Sequence, residues 1–109
     1  MALLSLSPDV LIQIEAVEGR TLDAKLTALL EAYLAAQLRA CEQEITTFEI
    51  KYRCAFADFA AVWEQATLPN KYDHELERDY MEWEGLEAER QGWLERLKQL
   101  PQRDQVEAS

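Results

Sequence analysis

The sequence predicts an all-α protein. One long and one medium-long helix form an antiparallel hairpin, short helices sit at the N-terminus and in the connection, and two copies assemble into a dimeric helical bundle. Three observations lead there. Only three glycines and three prolines interrupt 109 residues, far too few for a many-turned β protein. Alanine, leucine, glutamate and glutamine are abundant, and all four are good helix formers. The apolar residues, 49% of the chain, recur at steps of three and four rather than two. The length suits one domain with a single core. That domain is placed at residues 1–100, with 101–109 (PQRDQVEAS) as a flexible tail.

The elements follow in order. Ser7-Pro8-Asp9 is a helix start: a serine cap, proline at the first helical position and an acid at the positive end of the dipole. This short helix is expected to run to about Glu18 and to be closed by Gly19. Thr21 caps the second helix, with Asp23 in its first turn. Two apolar stripes wind along it: Leu22, Leu26, Leu29, Tyr33, Ala36 and Ala40, and then Leu34, Leu38, Cys41, Ile45, Phe48 and Tyr52. Residues 26–41 are apolar nearly all round, so this helix is expected to pack on more than one side. From Leu22 to Arg53 it would span roughly 48 Å. A break near Arg53–Ala55 leads to a short helix carrying Phe56, Phe59 and Trp63. TLPNKYD (67–73) is the clear loop, and Asp73 caps a last helix that ends before Pro101.

On that last helix Leu76, Tyr80, Trp83, Leu86, Trp93, Leu94 and Leu97 form one broad apolar face. Asp79 and Arg90 lie inside it, whereas Glu77, Glu82, Glu84, Glu89 and Glu95 lie off it as its solvated side. An antiparallel twofold axis between Glu84 and Gly85 would set Asp79 opposite Arg90 of a second copy, Trp83 opposite Leu86, and Leu76 opposite Trp93. This is the self-complementarity a homodimer interface requires, and the expected dimer interface is therefore Leu76, Asp79, Trp83, Leu86, Arg90 and Trp93. The competing reading places both charges at the edge of a helix contact within one chain. A narrow second stripe, Met81, Gly85, Ala88 and Gly92, offers room for another backbone, either of a partner or of the same molecule.

A net charge of −10 repels phosphate backbones and anionic lipid and favours basic partners. Nucleic acid is thereby disfavoured, and the N-terminal helices are the one place where contact with it stays open. Cys41 and Cys54 show no CxxC spacing and read as reduced thiols of a cytoplasmic protein. The start MALLSLSPDV has no basic region before its apolar residues and does not read as a signal peptide. No apolar run is long enough to cross a membrane. Chemistry is sparse: His74 is the only histidine, no nucleophile has a base partner, and there is no phosphate-cradling glycine loop. No cofactor and no enzymatic activity are expected. The one catalytic alternative is a Mg²⁺-dependent all-α nucleotide pyrophosphatase using Asp79-x-x-Glu82 and Glu84-x-x-Glu87. Such enzymes need a second acidic pair on a facing helix, and Glu42 and Glu44 point to different sides.

Residues 4–34, running through LSPDVLIQIEAVEGRTLDAKLTALLEAYL, resemble the two helices of a ribbon-helix-helix domain, with Gly19-Arg20-Thr21 at the turn and Leu26, Leu30 and Leu34 at core positions. The segment ALLSL is apolar where DNA-reading strands of that family present polar or basic side chains. FEIKYRCAFADF (48–59) with DHELERDYMEWEGLEAERQGWLERL (73–97) is similar to small helical proteins encoded beside short toxins and regarded as their antitoxins. Their pattern is a KYG-x-x-F element and then an acidic helix carrying D-Y and W-E. Lys51-Tyr52 and Phe56 match the first, with Cys54 and a shifted break in place of the glycine. Asp79-Tyr80, Trp83 and Glu84 match the second. The resemblance implies an antitoxin-like protein that binds and neutralises a basic, ribonuclease-type partner. Glu77, Glu82, Glu84 and Glu89 would be rim charges, and Tyr80 and Trp83 aromatic anchors. A structural subunit of a larger assembly is the further alternative.

Overall fold

The computed structural model describes residues 5–64 and 74–101. Four helices follow one another there: α1 (Pro8–Ile14), α2 (Leu22–Tyr52), α3 (Phe56–Glu64) and α4 (His74–Gln99), with no strand among the described residues. The expected loop at 67–73 with its Asp73 cap, and the tail beyond Pro101, lie outside the described residues.

The caps are those the sequence indicates. The Ser7 hydroxyl accepts from the Val10 amide at 3.3 Å and the Thr21 hydroxyl from the Ala24 amide at 3.0 Å, each satisfying one of the free donors of a helix start. α1 stops at Ile14, a turn before Glu18. Three-residue turns take over there, Ala16 N–H to Gln13 at 3.2 Å and Val17 N–H to Ile14 at 2.9 Å. The Lys25 ammonium then donates to the carbonyls of Glu15 (3.2 Å) and Val17 (2.6 Å), so α2 itself holds the end of α1. Gly19 turns the chain at φ +136°, and a Cβ there would come within 2.9 Å of the Ala24 Cβ. Both the angle and the space require glycine.

The two stripes of α2 meet different fates. Leu34, Cys41, Ile45 and Phe48 are buried, and Leu38 and Tyr52 half-buried, on the side that faces α4. Ala24, Thr27 and Ala28 are buried in the first turns of α2, Ala24 against the Gly19 turn, and α1 packs on this end of the helix. The other stripe stays open, with Leu22, Leu29, Tyr33, Ala36 and Ala40 exposed and Leu26 half-buried. The expectation of packing on more than one side is met on two sides and not on the third.

α2 ends at Arg53, which adopts φ +57°, ψ +36°. This is the left-handed residue that commonly closes a helix, a place where glycine carries no Cβ penalty. The break expected near Arg53–Ala55 thus falls at Arg53. Arg53→Gly is expected to raise stability by about 0.5–1 kcal/mol, read as a higher urea midpoint with an unchanged helical spectrum.

α4 returns antiparallel along α2, and α3 closes the end of the hairpin. Trp83 is the centre of the core at 0% exposure. Its ring stacks on Phe48 (5.6 Å between centroids) and lies 5.2 Å from Phe59, 5.4 Å from Phe56 and 6.0 Å from Tyr52. Cys41, Ile45 and Leu86 complete the cluster. The molecule is elongated, 60 × 27 × 27 Å.

Candidate partner-binding surface

The apolar stripe of α4 is used within the chain, which corrects the expected dimer interface. Trp83 and Leu86 are buried against α2 and α3, and Leu76 and Trp93 pack against the same core. The two charges also have partners at home. Asp79 Oδ2 accepts from Lys51 Nζ at 2.5 Å and from the Tyr52 hydroxyl. Arg90 Nε lies 3.2 Å from Glu42 Oε2, and its Nη1 lies 4.0 Å from Glu87 Oε1. Trp93 meets Tyr33 edge-on at 6.4 Å and donates from its indole to Glu89 at 3.1 Å. The physical reason is connectivity. α2 is presented to α4 for the modest entropy of closing one loop, whereas a second copy must also lose translational freedom.

The polar edge of the core is a small network. Burial acts to raise the Asp79 carboxyl, but the hydrogen bonds from Lys51 and Tyr52, with the Lys51 and Arg78 charges, hold its pKa below the ordinary value. Burial first, and then Asp79, push the Tyr52 phenol up to about 12. Lys51 also reaches Glu75 at 3.0 Å. In the core the Cys41 thiol donates to the Leu86 carbonyl at 3.2 Å. Burial and then Glu89 raise its pKa, so it stays protonated and unreactive.

The residues expected to meet a partner divide. Glu77, Glu82, Glu84 and Glu89 are all exposed. Tyr80 is half-buried, stacked on Trp63 at 4.7 Å and lying against Phe56 and Phe59. It belongs to the aromatic cluster, and so does Trp83, so neither ring is free as an anchor. What α4 does present outward is the narrow stripe. Met81 is 64% exposed, Ala88 is exposed, and a Cβ added at Gly85 or Gly92 would meet nothing within 4 Å. At about 100° per residue, Glu77 and Glu84 flank this stripe on one side and Glu82 and Glu89 on the other. Arg78 and Arg96 mark its two ends.

A groove not foreseen from the sequence lies between α2, α3 and α4. It holds about 570 Å³ and is lined by Glu42, Glu49, Glu87 and Arg90 around Ile45 and Phe56. Its signal was present, since Glu42, Thr46 and Glu49 step along α2 at four and three beside the buried stripe. The groove becomes visible only when α4 brings up Glu87. For the pyrophosphatase alternative, Asp79 is tied to Lys51 and Tyr52, and Glu82 is exposed. No group of three or more His, Cys, Asp or Glu that could hold a metal is gathered among the described residues. No helix there is long and apolar enough to cross a membrane. Comparison of the chain with family models, curated proteins and solved structures gave no match.

Proposed function

We propose that this protein is an antitoxin-like interaction module of the cytoplasm, which binds and neutralises a basic, ribonuclease-type partner and catalyses no reaction itself. The supporting observation is the pair of glycines in the interior of α4. Each is less favourable than alanine by about 1 kcal/mol in a helix, and neither makes a turn or admits a neighbour among the described residues. They leave a shallow channel beside Met81 in which another backbone can lie close. Glu77, Glu82, Glu84 and Glu89 border that channel, steer a cationic protein and select against an anionic one. Met81 takes the role of apolar anchor that Tyr80 and Trp83 cannot fill.

Two variants test this. Gly85→Ala with Gly92→Ala is expected to stabilise the isolated protein by about 1–2 kcal/mol and to weaken partner binding by narrowing the channel. Replacing the four glutamates by glutamine is expected to weaken binding and flatten its salt dependence. The probe is the protein encoded by the adjoining reading frame, titrated by calorimetry. A wild-type chain that binds no basic protein, or a more stable glycine variant that binds equally well, overturns the reading.

A further inference from the structure

Among the described residues, seven large apolar side chains remain exposed at one end of the molecule: Val10, Leu11 and Ile12 on α1, and Leu22, Leu29, Leu30 and Tyr33 on α2. Those of α2 are 39% (Leu22) to 56% (Tyr33) exposed, and with half-buried Leu26 they share an arc of roughly 100° on the helix. The hairpin does not cover them. Its contact between Trp93 and Tyr33 lies near the end of α4, so the first third of α2 projects beyond the helix that buries the rest. A hollow of about 470 Å³, lined by Val10, Ile14, Val17 and Leu29, continues the same surface between α1 and α2.

We infer that this face seats a second copy of the chain, with the N-terminal halves of the two α2 helices packed antiparallel. Charge decides for a second copy over a basic partner. Residues 1–40 carry five acids and three bases, a net −2, whereas 41–109 carry sixteen acids and eight bases, a net −8. Two copies of an acidic chain therefore approach with least repulsion through this end. The apolar arc has no charge with which to select a cationic protein: Lys25 and Glu31 project from other sides, and Asp23 sits at its margin. The arc is also self-complementary. A twofold axis between Thr27 and Ala28 sets Leu22 opposite Tyr33 of the second copy and Leu26 opposite Leu29, the isologous pairing a twofold demands. The four α2 side chains leave on the order of 350 Å² in water, the apolar centre of the ~800 Å² per partner that a stable interface buries. The outer face of α4 stays free for the partner proposed above, and this inference does not depend on that one.

Sedimentation velocity at micromolar concentration tests it on the full chain. The wild type is expected to sediment at twice the mass of one chain. Leu22→Glu with Leu29→Glu sets carboxylates opposite the apolar Tyr33 and Leu26 of the second copy, where they would be buried unpaired, and should raise the dissociation constant about a hundredfold or more. Both positions are exposed in the single chain, so helicity should be unchanged. Met81→Glu, also at an exposed position but on α4, should leave the dimer intact. A wild type that stays monomeric, a charged double variant that stays dimeric, or a dimer lost through Met81→Glu instead overturns the proposal.

Discussion

Trp83→Ala is expected to destabilise the fold by about 3–5 kcal/mol, the range for removing a large aromatic from a packed core. For a domain of this size that is a large part of the total, so the variant should show a strongly lowered urea midpoint or fail to fold cooperatively. The reason is position. Trp83 is the residue at which α2, α3 and α4 meet, and Phe48, Tyr52, Phe56 and Phe59 all lie within 6.0 Å of its ring centroid. Its removal opens a cavity that four rings on three helices cannot fill together. Trp83→Phe is expected to lose less than about half as much. A phenyl ring keeps the stack on Phe48, and the indole Nε1 it removes is buried without a hydrogen-bond partner among the described residues, so no satisfied donor is sacrificed. Urea unfolding followed by circular dichroism distinguishes the two. An alanine variant within 1 kcal/mol of wild type would show that the core does not centre on this ring.

Asp79→Ala is expected to cost about 2 kcal/mol, because it leaves the half-buried Tyr52 hydroxyl without its acceptor and removes a charge-assisted bond from Lys51. The same site gives stability a pH dependence of definite sign. Asp79 titrates below its ordinary value in the folded chain, so the folded state binds this proton less readily than the unfolded state does. Its contribution is complete above the unfolded pKa of about 3.9 and fades as pH falls through the lower, folded value. Tyr52 behaves oppositely. Raised to about 12, it contributes fully below the unfolded value near 10, and that contribution is lost as pH rises through 12. Wild type should therefore lose more stability than Asp79→Ala between pH 4 and 2, measured as urea midpoints. Parallel curves for the two proteins would remove Asp79 from this role.

Much of the architecture was legible from local pattern. The Ser7 and Thr21 caps, the turn at Gly19, the break after Tyr52 and the boundary of α4 before Pro101 all depend on residues within one turn of each other. Such interactions read directly from spacing. The end of α1 was misjudged because the group that stops it, the Lys25 ammonium, comes from the next helix. The candidate surface was half legible. Periodicity correctly put Glu77, Glu82, Glu84 and Glu89 outside, but it could not say that Tyr80 would be taken by Trp63. Nor could it show that Met81, Gly85, Ala88 and Gly92 would face outward.

The sequence by itself determined that this chain is helical, where its helices begin, and that α2 carries two apolar stripes and α4 a broad one. Those properties come from backbone capping and side-chain period, which act over three or four residues. Only the tertiary structure decided which stripes meet. α4 pairs with the Cys41–Tyr52 stripe of its own α2, Asp79 finds Lys51 and Arg90 finds Glu42, and the Leu22–Tyr33 stripe is left in water. A stripe specifies that it must be covered but not by what. That choice rests on chain connectivity, which holds one candidate helix at high effective concentration, and on the length of α4, which runs out before α2 does.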